Sequence, residues 1–217
     1  MKKLFETRGK YVMTKQVSGI GAERVARIGV IAAIYAAATL VAILFLGGLA
    51  WGPIQFRISE AVTVLALFTP EAIPGLTLGC IVANAANIVL GGTGTLGLLD
   101  VVFGSFATFL GAFFTWKMRK RPVLAVLGPV AANALIVPAY LPVMLSGLGF
   151  YTIPLTSISL EGSYPLMYLF GLVTTGVGEA VVLYVLGLPL ARALSHSALP
   201  GLLAGNKAAN PRVSSRE

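Results

Sequence analysis

The chain consists of long apolar runs that are separated by short polar breaks or by breaks containing glycine and proline. A run of about 20 apolar residues is long enough for an α-helix to cross the ~30 Å hydrocarbon core of a membrane. The runs are continuous and do not alternate between apolar and polar residues, as the strands of a membrane β-barrel do. The predicted helices cover residues 28–49, 54–68, 69–90, 100–117, 123–145 and 166–190. We therefore predict an all-α integral membrane protein with six transmembrane helices, of which the second is short.

The composition agrees with a membrane protein. Of the 217 residues, 57% are hydrophobic and 11% are charged, and the mean hydropathy is +0.87. A soluble domain has about 25% charged residues. At about 20 residues for each helix, plus loops and tails, the length accommodates six spans in one domain.

The positive charges indicate the orientation in the membrane. Lysines and arginines are concentrated in residues 1–27, in residues 117–121 and at Arg192, and cytoplasmic segments carry such an excess. With six spans these groups fall on one side, so both termini are predicted to be cytoplasmic. The net charge of +8 is then an orientation signal rather than a nucleic-acid-binding face. The predicted domains are a basic cytoplasmic extension at 1–27, a six-helix transmembrane domain at 28–194 and a disordered cytoplasmic tail at 195–217.

Several kinds of chemistry are disfavoured by the residue inventory. The single cysteine, Cys80, permits no disulfide within the chain and no thiolate metal site, and the single histidine, His196, lies in the predicted tail. The glycine-rich loop at 91–100 lacks the Lys-Ser/Thr pair that completes a P-loop. An intramembrane enzyme is an alternative, but the chain offers neither a nucleophile with a base nor a metal set. We predict a non-enzyme without a metal or other cofactor.

The most informative stretch is WGPIQFRISEAVTVLALFTPEAIPG, residues 51–75, which places Gln55, Arg57 and Glu60 close together in apolar sequence. Charged groups inside a membrane are costly and mark functional sites unless they pair or reach an interface. On a helix, Arg57 and Glu60 share a face and either pair or jointly line a cavity. For Arg57, extension to the membrane surface remains an alternative to ligand contact. Glu60 lies one turn deeper and is harder to explain in that way.

Other polar side chains lie deep in the later spans. Asparagines in the third and fifth helices either hydrogen-bond a neighbouring helix or line a pocket, whereas Glu179 lies near the middle of the last helix with no interface in reach. Asp100 opens the fourth helix. The predicted substrate-binding residues are Gln55, Arg57, Glu60, Asn84, Asn87, Asp100, Asn133 and Glu179.

The first helix carries small residues four positions apart, in the pairs Ala32/Ala36 and Ala33/Ala37. Such stripes allow a second helix to approach closely in lipid. Packing within the bundle and docking of a partner subunit are both possible explanations, and we name these four alanines as candidate partner-interface residues.

Four segments carry a resemblance to a known family: FRISEAVTVLALFTPEAIPGLTLGCIVAN, LLDVVFGSFATFLGAFFTW, NALIVPAY and GEAVVLYVLGLPL. In this order they resemble the QueT family, substrate-binding S components of energy-coupling-factor (ECF) transporters, over residues 26–194. The resemblance implies a six-helix S-component-like bundle in the cell membrane of a bacterium or other prokaryote. It further implies capture of a queuosine precursor, a deazapurine, from outside, and assembly with a transmembrane T component and two ATPase subunits.

In S components, alanines four apart on the first helix contact the T component, which matches Ala32 and Ala36, with Ala33 and Ala37 as the offset pair. The loop at 147–165 is longer than the family pattern, so a lid over an outward-facing pocket is our own hypothesis for it. The residue types also suit the substrate. A carboxylate at Glu60 or Glu179 can accept two N–H groups from a guanine-like base, and Trp51, Phe56 or Tyr184 can stack on its ring.

If the substrate carries an aminomethyl group, an acid such as Asp100 can meet its positive charge. A stand-alone, ion-coupled secondary transporter that uses the same acids remains the alternative function. The modest length and the lack of an evident internal repeat count against it.

Overall fold

The computed structural model describes residues 2–145, 149–197 and 201, with side chains from residue 21 onward. Within these ranges the regular secondary structure is helical apart from one isolated β-bridge between Thr152 and Ser159. The α-helices are α1 (Lys2–Leu46), α2 (Ala72–Leu90), α3 (Ser105–Lys117), α4 (Pro122–Ala125), α5 (Leu127–Met144), α6 (Tyr164–Val181) and α7 (Leu188–Ser195). The prediction of an all-α membrane bundle is confirmed.

Five helical segments are long and apolar enough to cross a membrane. They are Gly21–Ala50, Ala72–Leu90, Gly94–Lys117, Pro122–Met144 and Tyr164–Ser195. The remaining predicted span, the second, corresponds to the shorter apolar helix Ile58–Leu67, which is a 3₁₀ helix of 10 residues. At about 2.0 Å per residue it extends roughly 20 Å, less than the hydrocarbon core. The chain is a multi-pass membrane protein, as the sequence predicts, and five of the six predicted spans have membrane length.

Two predicted boundaries need comment. The first helix does not begin near residue 28, because α1 runs without interruption from Lys2 to Leu46 and includes the basic extension. At the other end α7 closes at Ser195, and most of the predicted disordered tail lies outside the described residues. Residues 147 and 148 of the loop predicted as a lid are also outside them.

Helices α1 and α2 pack with their backbones close together. A Cβ atom on Gly79 would lie 2.6 Å from the carbonyl oxygen of Ala32, and one on Gly75 would lie 2.9 Å from the Ile31 side chain. Small residues four apart allow this approach in lipid, where helices associate through dispersion and close packing. The α1–α2 contact fixes the depth at which the polar residues of both helices meet.

Two helices contain π-helical turns beside acidic residues. Asp100–Gly104 is a π-helix that leads into α3, and Val182–Gly187 is another between α6 and α7, three residues after Glu179. Single π turns inside helices occur frequently at functional sites. Together with the 3₁₀ helix that bears Glu60, they place Glu60, Asp100 and Glu179 on or next to irregular helical backbone.

The beginning of α2 is tied to α1 by charge. Glu71 forms ion pairs with Arg24 at 3.1 Å and with Arg27 at 3.5 Å, and it accepts a hydrogen bond from Thr69. Burial alone would raise the pKa of the Glu71 carboxyl, but the hydrogen bond and the two arginines outweigh it and hold that pKa below its usual value. Thr69 therefore binds Glu71 and does not cap α2, whose N-cap has no side-chain hydrogen bond.

Candidate functional site

The first part of the candidate site is a buried arginine and its partners. Arg57, at the start of the 3₁₀ helix, is 4% exposed, which excludes extension to the membrane surface. Its Nη2 donates to Oδ1 of Asn84 on α2 at 2.9 Å and lies 3.8 Å from Oδ2 of Asp100. Asn84 in turn donates to the backbone oxygen of Asp100 at 2.8 Å. Three helical segments are thus joined at one point inside the bundle.

Asp100 has a second partner on α5. The hydroxyl of Tyr140 donates to its Oδ1 at 2.6 Å. Gly104 makes room for this group, because a Cβ there would lie 2.6 Å from Asp100 Oδ1 and 3.0 Å from Asn84 Nδ2. The Asp100 carboxylate is therefore held by both a cation and a phenol.

A second pair of acids adjoins this group. Glu60 accepts a hydrogen bond from the hydroxyl of Tyr35 on α1, and Glu179 on α6 accepts one from Nδ2 of Asn133 on α5 at 2.9 Å. The Glu60 and Glu179 carboxyl groups interact electrostatically with each other and with the Arg57 guanidinium. Because both carboxylates are acceptors, a bond between them requires a proton or a donor from elsewhere. Residues from four separate segments, namely α1, the 3₁₀ helix, α5 and α6, converge here.

The remaining two predicted residues lie at the edge of this arrangement. Gln55 is buried, and its Nε2 donates to the hydroxyl of Thr175 at 3.3 Å, one turn before Glu179. Gly178 permits this approach, since a Cβ there would overlap the backbone oxygen of Gln55. Asn87 is buried one turn beyond Asn84 towards Gly91 and Trp51.

Several buried polar atoms of the site lack a hydrogen-bond partner within the protein. The acceptors without a donor are Glu60 Oε2, Asn87 Oδ1 and Asn133 Oδ1, and the donors without an acceptor are Arg57 Nε and Nη1. The hydroxyls of Ser59 and Ser105 are also unpaired. Leaving such groups unpaired costs about 1–3 kcal/mol each and more for charged groups. A ligand that offers donors to the first set and an acceptor to the second would satisfy both.

The end of the bundle at which α5 ends and α6 begins is covered by aromatic side chains of the loop between these two helices. The rings of Phe150 and Trp51 lie 5.3 Å apart, and Tyr151 is fully buried against Phe170. A cavity of about 250 Å³ lies beside Phe150, between the end of α1 and residues 53–54. Burial raises the pKa of the Tyr151 phenol, which therefore stays protonated.

The three residues named for ring stacking are placed differently. Trp51 is buried, and Gly91 lies between its ring and Asn87, so its position suits contact with a ligand at that end of the bundle. The hydroxyl of Tyr184 donates to the backbone of Val123, which places that ring at the opposite end of the bundle. Phe56 is 37% exposed.

The alanines of α1 divide into two pairs. Ala32 and Ala36 are buried in the bundle, with Ala32 against α2, whereas Ala33 and Ala37 are exposed. The expectation of a partner-facing surface is therefore retained for Ala33 and Ala37. For Ala32 and Ala36 the structure corrects it, because their faces are covered by the protein itself.

Sequence analysis missed three residues of the site. Tyr35 and Tyr140 supply hydroxyl donors to buried acids, and Gly104 gives the space that Asp100 and Asn84 occupy. Signals for them exist: Tyr35 is the single phenol of the alanine-rich apolar run at 28–49, and Gly104 follows Asp100 by one helical turn. Within the described residues, no three histidine, cysteine or acidic side chains are grouped so that they could hold a metal ion.

The sequence of the chain is similar to known transporters. A family model described as QueT transporter matches residues 25–196. The queuosine precursor transporter QueT of Lactococcus lactis subsp. cremoris (strain MG1363) is 32% identical over 92 residues, which cover 40% of this chain and 53% of that protein. The chain thus spans about half the length of the curated relative that it matches. No solved structure matches the chain.

Proposed function

The chain belongs to the QueT transporter family, and from this membership we propose that it captures a queuosine precursor, a deazapurine, from outside the cell. In this proposal it is the substrate-binding subunit, or S component, of an ECF-type importer. The related Lactococcus lactis protein is named a queuosine precursor transporter, which supports the substrate class. The observation that carries the proposal is the convergence of Arg57, Glu60, Asn84, Asn133 and Glu179 around unpaired polar atoms.

The polarity of the site suits a guanine-like base. Glu60 Oε2 and Asn133 Oδ1 need donors, and the N–H and exocyclic amine of a deazaguanine lie side by side on one edge of the ring. Arg57 Nε and Nη1 need an acceptor, and the ring carbonyl supplies one. Charge-assisted bonds of this kind contribute about 1.5–3 kcal/mol each, because one partner is ionised.

In the proposal, the end of the bundle that the loop between α5 and α6 covers is the outer end, and the substrate reaches the site from there. Phe150 and Tyr151 act as part of a lid in the proposal, since both rings lie over the outer end of the bundle and contact Trp51 or Phe170. The unpaired Asn87 Oδ1 lies between Trp51 and the deeper residues. It would be the first polar group that an entering base meets.

The proposed orientation places both termini in the cytoplasm. A cavity of about 380 Å³ is lined by Phe68, Arg119, Pro122 and Arg192 among others, so the basic residues after α3 and in α7 share one end of the bundle. Arg24 and Arg27 are tied to Glu71 at the start of α2. Positive charge at one end supports a cytoplasmic assignment for that end.

Energy for transport is assigned to separate subunits. The sequence contains no complete P-loop, and the proposal therefore pairs the chain with a transmembrane T component and two ATPases. The exposed alanines Ala33 and Ala37 on α1 are the proposed contact for the T component, because small side chains allow close helix approach in lipid.

Equilibrium binding tests the substrate assignment. Detergent-purified protein is titrated with queuine and with the aminomethyl- and cyano-deazaguanine precursors, alongside Glu60→Gln, Glu179→Gln and the control Glu23→Gln, whose side chain is exposed on α1. We expect saturable binding that Glu23→Gln leaves unchanged and that at least one of the buried-site variants weakens tenfold or more. Absence of binding for all three compounds removes the substrate assignment, and normal binding by both buried-site variants removes only the site.

A stand-alone ion-coupled carrier is a second candidate, favoured by the burial of two interacting acids, Glu60 and Glu179, since acids inside a membrane are able to carry a proton. Reconstitution separates the two functions. Uptake into vesicles driven by an ion gradient, without ATPases, supports the carrier, whereas uptake that needs the coupling module and ATP supports the importer.

A further inference from the structure

The cavity that contains Arg119 and Arg192 has the size of a ligand site and a largely apolar wall. Its volume is about 380 Å³, and ligand sites usually measure about 300–1,000 Å³. Apolar side chains line it from three segments, with Leu67 at the end of the 3₁₀ helix, Val123 in α4 and Leu188 in α7. None of its lining residues belongs to the candidate substrate site. The cavity is therefore a separate opening in the surface of the bundle.

Both arginines of this cavity are exposed and lack an acidic partner. Where the structure describes side chains, no aspartate or glutamate forms an ion pair with Arg119 or Arg192. Glu71, which follows the 3₁₀ helix in the sequence, is committed to two arginines of α1. Two guanidinium groups that share one cavity repel each other unless an anion lies between them. An anion in the cavity would be stabilised by both groups.

The Arg119 guanidinium is held in place by the protein. It lies over the Trp116 ring, 3.9 Å from the ring centroid, and its Nη1 donates to the backbone oxygen of Trp116 at 3.0 Å. A guanidinium carries five N–H donors, so this hydrogen bond leaves others for a ligand. The planar fork of these donors matches the oxygen atoms of a phosphate group. Arg192 on α7 supplies the second guanidinium.

Aromatic residues beside the cavity place it at the level of lipid headgroups. Trp116 contacts Arg119, and the hydroxyl of Tyr184 donates to the backbone of Val123. Tryptophan and tyrosine are enriched where a membrane meets water. The membrane-crossing segments that contain α3 and α7 also end here, at Lys117 and Ser195. A ligand at this depth meets hydrocarbon on one side and water on the other.

We propose that the cavity binds one anionic phospholipid, with its phosphate between Arg119 and Arg192 and the start of one acyl chain against the apolar wall. Anionic lipids attract basic residues at a membrane surface. A free phosphate ion would use only the charge of the cavity, whereas a zwitterionic lipid brings its own cation next to the phosphate. The bound phosphate connects α7 to the segment between α3 and α4. This inference does not depend on the proposed substrate.

Lipid binding is measured on the detergent-purified, delipidated full chain by native mass spectrometry and by thermal unfolding. The additives are phosphatidylglycerol, phosphatidylcholine with the same acyl chains, and inorganic phosphate. Wild type is expected to bind one phosphatidylglycerol about tenfold more tightly than phosphatidylcholine, since charge-assisted hydrogen bonds are made only with a net anion. The unfolding midpoint is expected to rise with phosphatidylglycerol and not with phosphate.

Two double variants test the arginines. In Arg119→Gln/Arg192→Gln the preference for phosphatidylglycerol should fall to about threefold or less. The matched control is Lys120→Gln/Arg121→Gln, which removes the same amount of charge from exposed side chains that do not line the cavity. This control should keep the wild-type preference. The comparison of additives on wild type needs no variant, so it decides the inference even where a variant does not fold.

Three results would overturn the inference. Wild type that binds both phospholipids equally has no charge-selective site. Inorganic phosphate that raises the unfolding midpoint as much as phosphatidylglycerol shows a site for a free anion. A control variant that weakens phosphatidylglycerol binding as much as Arg119→Gln/Arg192→Gln shows that overall surface charge, and not the cavity, attracts the lipid. Failure of every deazapurine to bind would remove only the proposed function.

Discussion

Removal of the Arg57 guanidinium should destabilise the protein even without a ligand. In Arg57→Met the hydrogen bond to Asn84 at 2.9 Å and the ion pair with Asp100 at 3.8 Å are lost, and three buried acids remain without a base. Breaking a buried ion pair costs about 3–5 kcal/mol. Because Tyr140 still donates to Asp100, we expect about 3 kcal/mol, which lowers the midpoint of thermal unfolding by about 6–12 °C in a chain of this size.

The chain contains its own reporter for this measurement. Cys80 is the single cysteine, it is fully buried, and its Sγ accepts hydrogen bonds from Asn84 and Thr108. A thiol-reactive dye therefore labels the detergent-purified protein only as it unfolds. Arg121→Met is the matched control, because this arginine is exposed before α4 and a surface substitution changes stability by about 0.5 kcal/mol or less.

The double variant Arg57→Met/Asp100→Asn identifies the partner. If the two side chains form the pair that the distances indicate, the second substitution removes the unbalanced carboxylate and restores part of the lost stability. A midpoint for Arg57→Met within about 2 °C of wild type would refute the account of a buried, paired arginine. A double variant that is less stable than the sum of the single changes would refute Asp100 as the partner.

Three further predictions concern other contacts of the fold. Tyr140→Phe should lower the free energy of unfolding by about 1.5–3 kcal/mol, since its hydroxyl donates to a buried carboxylate. Tyr168→Phe removes an exposed hydrogen bond of 3.3 Å and should change that free energy by under about 1 kcal/mol. Equal losses in the two variants would contradict this distinction. Glu71→Gln should lower the midpoint of thermal unfolding at neutral pH. The difference from wild type should shrink as the pH falls below the usual carboxyl pKa of 4.5, because a carboxyl with a lowered pKa stabilises the fold only while it is ionised. A difference that grows in acid would contradict this sign. Gly79→Ala should lower the free energy of unfolding by about 1–3 kcal/mol because the added Cβ meets the backbone of α1. Gly29→Ala, where nothing lies within 4 Å of the added Cβ, should not lower it. Both variants are measured by thermal unfolding, and similar midpoints would argue against the close helix contact.

The burial of the candidate residues was predictable from the sequence. Each is a polar side chain in an apolar context, and lipid offers no partner for such a group, so it must turn towards the protein. Arg57, Glu60 and Glu179 are all buried on these grounds. The five helices of membrane length follow with equal directness from the length of the apolar runs.

The pairing inside the site was not predictable. Sequence spacing placed Arg57 beside Glu60, but the ion pair is with Asp100, 43 positions away, because packing of α2 and the π turn before α3 brings that carboxylate to the guanidinium. Tyr35 and Tyr140 were missed for the same reason. Local patterns reveal which side chains need partners, whereas the partners are chosen by contacts between segments that are distant in sequence.

The π-helical turns of the bundle set the rotation of one helical segment relative to the next about the helix axis. A π turn holds an additional residue compared with an α turn, and each residue of an α-helix rotates the chain by about 100°. Deleting one residue within Val182–Gly187 would regularise that helix and swing α7 around its axis relative to Glu179. We therefore expect some related chains to lack one residue in the middle of this membrane-crossing segment, a position where deletions in a regular helix would rotate all following side chains.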